Sequence, residues 1–563
     1  MTARIVLFSL ICLALPVSAN VMDGGGCQLL HQLALDGNSG FNFESSRAAP
    51  IAPDGEAFVV RNIRIVRLPI FDLSDPDEDK WLYRAANRVH RPTRESAVRD
   101  ALVFREGDTA TAEMLEESER VLRSKLYVHD ARVLPRRRCG NEVDVDVVTR
   151  DLWTLVPRLI LARRGGENRL GIGFGDSNFL GTGKAIGVSY EKSVDREGYS
   201  VGYDDPNVLG SRIRLTTNFT INDDGERHYV DLRRPFYSMD ARYAWGLRMN
   251  RVDGSEDLYF RGDSFAGFRQ RLRFWETSGG LSRGRGGDGT TRVRFGVTYE
   301  DETFTPEAGE VAPAPFPVDR TLVFPWVGLE MVEDAFERTS SFQRIGVTED
   351  VFVGRRMSAR IGWSSRSFGA DIDRAVFDAT YGDAFWVGEN GYFRYRASVD
   401  GYWNRDDAKL ENTYASVGAS FHLSQSPQLA MFSSADFTYT RGLTADRQLF
   451  LGGETGLRGY PLRFQVGDRS WRFSFEERYF TDLHLFNIFR VGAAAFFDVG
   501  RAWFPGDSSS GEYAVLADVG VGLRLESTRT QSGRIHHLDF ALPLRDGDNV
   551  DGFQVVLTVR GTL

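Results

Sequence analysis

From about residue 155 to the C-terminus, apolar and polar residues alternate in one segment after another, and helical periodicity does not return. The segment "RIRLTTNFTI" is typical, with apolar positions at Ile213, Leu215, Phe219 and Ile221. Successive side chains of a strand point to opposite faces, so each segment has one apolar and one polar face. A soluble sandwich also alternates, but here the polar faces are crowded with arginine and carboxylate, which favours a watery lumen. The pattern predicts a transmembrane antiparallel β-barrel over residues 155–563.

The start of the chain predicts export. In "MTARIVLFSLICLALPVSAN", Arg4 precedes an apolar stretch, and Val17, Ser18 and Ala19 form a small-residue cleavage site. This indicates a secretory signal peptide at residues 1–19. Beyond it, no run approaches the roughly 18 apolar residues that a membrane helix needs. An exported chain with 58 Gly, 40 Phe and 19 Tyr is then expected to cross an outer membrane as a β-barrel.

Two regions precede the barrel. Residues 20–57 have little periodicity and many Gly, Ser and Pro, which predicts a linker or a poorly ordered arm. Residues 58–154 follow the order strand, helix, helix, strand, strand, with helical spacing in "RESAVRDALVF" and "AEMLEESERVLRSKLYV". This order predicts a small α+β domain, and "SDPDEDKWLYRAANRVH" is interpreted as an extra helical insert.

Two cysteines remain after the predicted signal peptide, Cys27 and Cys139. In an oxidising compartment they could pair or stay free thiols, and the compartment argument leaves both outcomes open.

The connections between the alternating segments are of two kinds. The near-repeats "DSNFLGTG" and "DDPNVLGS" are interpreted as tight turns, and "KSVDREG" and "NDDGER" as longer loops. Short turns on one side and long loops on the other are typical of outer-membrane barrels. The number of segments runs from sixteen to about twenty, and an even number of strands is expected.

Three stretches, "GGETGLRGYP", "AAAFFDVGRAW" and "DSNFLGTGK", resemble the BamA/TamA superfamily (bacterial surface antigen type) of outer-membrane insertases and translocases. The small domain resembles the periplasmic POTRA repeat of that family through "GDTATAEMLEESERVLRSKLYVHDARV". The resemblance covers residues 58–563 and implies a sixteen-stranded barrel with a long extracellular loop folded back into the lumen. The chain departs from the best-known insertases in having a single POTRA-like domain.

The resemblance also implies a site inside the barrel. The lumenal loop motif consists of Gly456, Leu457, Arg458, Gly459 and Tyr460. Alternation along the strands points a set of wall residues toward the lumen, and those predicted to anchor the loop are Glu476, Phe496, Asp498 and Gly500. We predict that Arg458 makes bidentate contacts to Asp498 and Glu476. Because lumenal water would weaken such pairs, packing of the loop is expected to share the anchoring.

Three sequence features suggest esterase or metal-binding chemistry, but their context does not support it. "GYSVG" matches the esterase GxSxG pattern, which needs a strand–turn–helix, but Ser200 lies in an alternating run and is predicted to be a lumenal strand serine. "DGDNVDG" departs from calcium-loop spacing, and His536 and His537 face opposite ways in a strand. The net charge of −9 does not suggest a nucleic-acid partner. We expect no enzyme activity, no cofactor and no metal site.

The function that the resemblance implies is assembly, insertion or translocation of outer-membrane or secreted polypeptides without ATP. Unfolded clients would add a strand to the POTRA sheet edge and meet the closure between the first and last barrel strands. Outer-membrane lipid is a further partner, and periplasmic or lipoprotein partners at the POTRA-like domain are candidates. Two alternatives stay open: a dedicated polypeptide secretion pore of two-partner type, and a passive, porin-like solute channel.

Overall fold

A computed structural model describes residues 27–31, 41, 43, 57–76, 78–340, 348–486, 488–507, 511–528, 534–547 and 549–561. The predicted signal peptide, most of the predicted arm and Asp548 of the acidic turn lie outside these residues. No helix in the described ranges is long and apolar enough to cross a membrane.

The N-terminal α/β domain packs three helices against a mixed sheet. Its described elements are β1 (Gln28–Leu29), β2 (Phe58–Leu68), α1 (Trp81–Val89), α2 (Glu95–Ala101), β3 (Thr109–Ala110), α3 (Ala112–Arg123), β4 (Val128–Cys139) and β5 (Glu142–Asp151). The sheet order is β1-β4-β5-β2-β3, with β2 and β5 parallel. Helices α2 and α3 bury Val98 and Leu122 against the inward residues Val133 and Val145. The apolar residues of the alternating strands and those at helical spacing in α3 therefore pack into one core.

Part of the predicted arm is ordered on this domain. Strand β1 pairs antiparallel with the outer edge of β4, and Cys27 forms a disulfide with Cys139. Phe41 and Phe43 are buried in a cluster with Leu134 of β4. A covalent link and apolar contacts thus attach these residues of the predicted linker or poorly ordered arm to the sheet.

The rest of the chain is almost entirely extended. Its strands are β6 (Leu155–Arg164), β7 (Glu167–Asp176), β8 (Ala185–Lys192), β9 (Glu197–Asp205), β10 (Arg214–Asn222), β11 (Glu226–Arg234), β12 (Tyr243–Phe260), β13 (Asp263–Gly286), β14 (Gly289–Pro306), β15 (Arg320–Glu333), β16 (Phe336–Ser340), β17 (Thr348–Phe352), β18 (Arg355–Ser364), β19 (Arg374–Val387), β20 (Gly391–Asn404), β21 (Lys409–Ser424), β22 (Leu429–Arg441), β23 (Leu449–Leu451), β24 (Gln465–Gly467), β25 (Arg469–Leu485), β26 (Phe489–Trp503), β27 (Leu516–Ser527), β28 (Arg534–Pro543) and β29 (Gln554–Gly561).

Twenty of these strands form one closed antiparallel barrel in chain order, while β16 with β17 and β23 with β24 form separate pairs. The barrel prediction is confirmed, with a strand number at the upper end of the expected range and above the sixteen that the resemblance implies. Alternating residues such as Leu159, Ile172 and Ile221 expose two thirds of their surface on the outer wall, as a lipid-facing belt requires.

The barrel closes where β29 lies beside β6, a junction that we call the seam. In the described residues the seam register contains one pair of Cα partners, Leu557 with Arg163. By contrast, β28 and β29 stay in register from Arg534↔Gly561 to Ala541↔Gln554. The seam is therefore the least extensively paired junction of the barrel.

We call the barrel end at which β6 begins the domain-side rim, and the opposite end the distal rim. The connections at residues 177–184 and 206–213 lie on the domain-side rim, whereas the β8–β9 connection at residues 193–196 lies on the distal rim. The predicted lengths are thus wrong, because the supposed tight turns are the longer connections. Contacts of their asparagines with the α/β domain account for the extra length. The side-chain amide of Asn178 donates to Thr93 Oγ1 (2.8 Å), and that of Asn207 donates to the Asp100 carbonyl (3.3 Å). These connections are shaped to contact the α/β domain.

Candidate functional site

A long connection between β22 and β25 folds from the distal rim into the barrel. It begins after Arg441 and ends before Arg469, and we call it the lumenal loop. Within it, β23 and β24 pair antiparallel. Leu457 and Tyr460 of the predicted motif are fully buried, although they lie in a segment without regular structure. The loop is therefore packed inside the barrel.

Arg458 is the polar centre of this packing. Its Nε and Nη2 donate to the two carboxylate oxygens of Asp498 at 2.7 and 3.1 Å. Its Nη1 donates to Glu476 Oε2 at 2.9 Å and to Asp539 Oδ2 at 3.3 Å. The guanidinium carbon lies 3.4 Å from the ring centroid of Phe496. Arg458 thus contacts three wall residues named from the sequence, and the contact to Asp498 is bidentate.

The structure adds charged residues that sequence reasoning did not assign to the site. Arg524 of β27 lies 3.0 Å from Glu476 and also donates to Asp539 of β28. Arg478 Nε donates to Glu476 at 2.7 Å. Alternation could have shown that Arg524 and Asp539 face inward, since their neighbours Leu523 and Phe540 are exposed. It could not show which inward residues meet.

The cluster of Arg458, Glu476, Asp498 and Asp539 is dry. The exposed fraction of each of these side chains is 2% or less. The loop and the wall therefore shield these side chains from most of the lumenal water that the expectation assumed. Charges buried in this way depend strongly on one another, since removing one leaves its partners uncompensated.

Apolar packing surrounds the charged cluster. The motif residues Leu457 and Tyr460 belong to a buried hydrophobic cluster that also contains Leu451, Phe464, Ala502 and Leu516. The Tyr460 hydroxyl donates to the Ala517 carbonyl of β27 at 3.0 Å. At Gly500, a Cβ atom would lie 2.7 Å from the Trp471 carbonyl of the neighbouring strand and 3.3 Å from the Leu451 side chain of the loop, so both limit this position to glycine.

Two glycines of the motif have steric reasons to be glycine. Gly456 has φ of 110°, a left-handed conformation that other residues rarely adopt. At Gly459, a Cβ atom would lie 2.7 Å from the Cβ of Asp518 on the barrel wall. The glycines beside Arg458 therefore allow the backbone of the loop to approach the barrel wall closely.

The lumenal loop also contacts the opposite wall of the barrel. Arg463 donates both Nη groups to Asp195 in the β8–β9 connection at 2.7 Å each, and its guanidinium lies 4.0 Å from the ring centroid of Tyr259. Burial alone would raise the pKa of Asp195, but the hydrogen bonds and charge of Arg463 outweigh this and lower it. The Gln448 side chain exchanges two hydrogen bonds with the Tyr259 backbone. The loop thus spans the lumen near the distal rim.

The α/β domain covers the other end of the lumen. Arg123 of α3 donates two hydrogen bonds of 2.7 Å to Asp350 of β17, and Arg120 donates to Asp334 at 2.8 Å. Glu117 accepts a hydrogen bond from the Met239 backbone at 2.9 Å. A cavity of about 1580 Å3 extends from this helix up to Glu476. The lumen is therefore a chamber with α3 at its base and the loop across its top.

The other features singled out in the sequence have ordinary surroundings. Ser200 lies within β9, where its hydroxyl accepts hydrogen bonds from Asn218 (3.1 Å) and Thr220 (3.4 Å) on the neighbouring strand. In the part of the chain that the structure describes, no group of His, Cys, Asp and Glu residues could hold a metal ion.

Comparison with protein families identifies the barrel. The model of the Omp85 superfamily domain matches residues 178–559, about two thirds of the chain, including the lumenal loop and its wall. The chain belongs to the Omp85 superfamily. As an Omp85 protein it is an outer-membrane β-barrel protein, and the resemblance inferred from the three sequence stretches is confirmed.

Three solved structures are similar to this chain at low sequence identity. BamA from Haemophilus ducreyi lacking POTRA domains 1–3 is 12% identical, with 89% of this chain and 84% of that chain covered and a TM-score of 0.39. CdiB from Acinetobacter baumannii is 11% identical, with 89% and 74% covered and a TM-score of 0.41. CdiB from Escherichia coli is 15% identical, with 89% and 76% covered and a TM-score of 0.43. A search of curated proteins found no match.

Proposed function

We propose that this Omp85 protein inserts polypeptides into the outer membrane, using the seam as the point of client entry. The supporting observation is the contrast between the single Leu557↔Arg163 pair of the seam and the continuous registers elsewhere. An edge strand with few hydrogen bonds can accept another strand in place of its neighbour. No nucleotide is needed for such an exchange, because each hydrogen bond lost at the seam is replaced by one to the client.

The α/β domain, which we place in the periplasm as a POTRA-like domain of residues 58–154, has a different part in this proposal. The sequence suggested client capture at its sheet edge. The β4 edge is already paired with β1 and carries the Cys27–Cys139 disulfide. A client could add to the end of β4 at Arg137 and Arg138 only after displacing the chain's own segment. We therefore assign strand exchange to the seam and assign to the domain the closure of the periplasmic mouth.

The chamber favours a second candidate, a dedicated polypeptide secretion pore. The cavity of about 1580 Å3 already connects the surface of α3 with the wall below Arg458. Undocking of the α/β domain would open this chamber to the periplasm, and displacement of the loop would open it to the outside. A passive solute channel fits less well, because the domain and the loop both lie across the lumen.

Quantitative proteomics of outer membrane and culture medium tests the proposal. A deletion strain is compared with strains complemented by the wild type, by Arg458→Ala and by Arg463→Ala as a matched control on the same loop. Insertion predicts loss of one or more barrel proteins from the outer membrane, restored by the wild type and by Arg463→Ala only. Loss of one exported protein from the medium, with the membrane unchanged, would favour the secretion pore. Unchanged profiles in both fractions would refute both candidates.

Docking of the domain gives a separate prediction. Arg123→Glu places a carboxylate against Asp350 and Glu119, which now accept hydrogen bonds from Arg123. Like charges at this position repel, so we expect the mouth to open. In an Arg458→Ala background, where the loop no longer closes the distal end, the conductance of single barrels in planar bilayers should rise severalfold on adding Arg123→Glu. Arg99→Glu is the control, because Arg99 pairs with Glu106 on the exposed surface of the domain. Equal conductance with and without Arg123→Glu in that background would contradict closure by the docked domain.

A further inference from the structure

Helix α1 lies on the barrel side of the α/β domain and is held there by an inner face that combines apolar packing with hydrogen bonds. Tyr83 is buried and stacks on Phe71 with ring centroids 4.5 Å apart. The Asn87 side chain exchanges two hydrogen bonds with the backbone of Phe71. The Tyr83 hydroxyl donates to the carbonyl of Phe486 at 2.5 Å. Phe486 follows β25 directly, so this bond ties α1 to the domain-side rim.

The outer face of α1 is apolar and exposed. Trp81 exposes 77% of its surface, Leu82 49% and Val89 68%. At 100° per residue, these three side chains lie within about 100° of one another around the helix axis. Arg84 and Arg88 lie beside them on the same helix and are exposed as well. An exposed tryptophan beside leucine, valine and two cations is the composition of a helix that lies in a membrane interface.

This apolar face continues the lipid-facing surface of the barrel. At the domain-side end of β25, Leu483 and Leu485 are exposed on the outer wall, and Phe486 exposes 76% of its surface. The bond between Tyr83 and Phe486 places α1 at the same level as these residues. If the end of β25 faced lipid while the adjoining face of α1 stayed in water, the exposed apolar side chains of α1 would be poorly solvated.

We propose that the outer face of α1, together with Phe486, binds phospholipid of the membrane leaflet at the domain-side rim. Trp81, Leu82 and Val89 enter the boundary between headgroups and acyl chains. Arg88 extends toward the phosphates, whose charge is opposite to its own. Arg84 is exposed beside it and pairs with Asp79 at 3.3 Å. The α/β domain is thereby anchored to the bilayer as well as to the barrel, independently of what the barrel transports.

Depth measurements on the full-length protein test this proposal. Leu82→Cys is labelled with the environment-sensitive dye NBD in a Cys12→Ala background, with Cys27 and Cys139 kept oxidised. The barrel is reconstituted in vesicles of phosphatidylethanolamine and phosphatidylglycerol, and its folding is checked by its gel mobility before and after heating. Thr109→Cys is the matched control. Thr109 is exposed in β3 and pairs with Val59 at the start of β2. Because α1 follows the far end of β2, about 3.3 Å per residue along that strand places Thr109 roughly 30 Å from α1.

We expect nitroxide-labelled lipid to quench the dye at position 82 about threefold more than at position 109, and aqueous iodide to show the reverse order. Adding Trp81→Asp and Val89→Asp should abolish the difference, and both positions are exposed, so the domain should still fold. Equal quenching at positions 82 and 109 in the wild-type background would overturn the proposal and leave this face to a protein partner.

Discussion

Replacing Arg458 with alanine is expected to lower the free energy of unfolding of the barrel by about 3–5 kcal/mol, the usual cost of removing one partner from a buried ion pair. Glu476, Asp498 and Asp539 would remain buried with one cation fewer among them. Arg458→Lys keeps the charge but loses the bidentate geometry toward Asp498, so we expect an intermediate loss. In both variants the lumenal loop should leave the wall.

Urea titration in detergent and limited proteolysis measure the two effects. The loop of Arg458→Ala should be cleaved by trypsin, for example after Arg447, under conditions that leave the wild type intact. Arg463→Ala is the control, because Arg463 pairs with Asp195 near the surface and such pairs contribute at most about 1 kcal/mol. Charge reversal at Asp498 with Arg458 intact should expose the loop in the same way. A wild-type digestion pattern in both Arg458 and Asp498 variants would refute the anchor.

Removal of the disulfide is expected to have the second large effect. The bond joins residues 112 positions apart. Loss of a native disulfide typically costs about 2–5 kcal/mol, so Cys27→Ser should destabilise the α/β domain by an amount in that range. Strand β1 would then be held to β4 by few backbone hydrogen bonds and should be released, which exposes the β4 edge to other strands.

Chemical denaturation with and without dithiothreitol tests this, with cleavage of the N-terminal segment as a second readout. Reduction of the wild type should reproduce the Cys27→Ser midpoint, whereas Cys27→Ser itself should not respond to reductant. A midpoint that is the same in oxidised wild type, reduced wild type and Cys27→Ser would contradict the stabilising role of the bond.

The local part of this structure was predictable from residue patterns. A period of two needs only neighbouring residues, so the inward direction of Glu476 and Asp498 followed from the apolar residues beside them. Helical spacing likewise indicated α3. The lipid-facing wall depends on the same short-range rule, whereas the lumenal position of the loop motif was implied by the family resemblance.

The parts that were missed depend on contacts between distant segments. Asp539 joins Arg458 because barrel closure brings β28 next to the lumenal loop, and no local pattern records that order. The strand number was uncertain because alternation does not show where long strands such as β13, with 24 residues, begin and end. The pairing of β1 with β4 was missed for the same reason, since its partners lie more than a hundred residues apart.

The most direct test of the account is insertion of a client barrel by protein with a locked seam. Arg163 and Leu557 are register partners, so Arg163→Cys with Leu557→Cys can join β6 to β29 through a disulfide. Vesicles carrying the oxidised double variant should insert an unfolded outer-membrane barrel no faster than empty vesicles. Reductant should restore the wild-type rate, with each single variant as a control for reductant alone. Insertion at the wild-type rate through the locked seam would contradict the account.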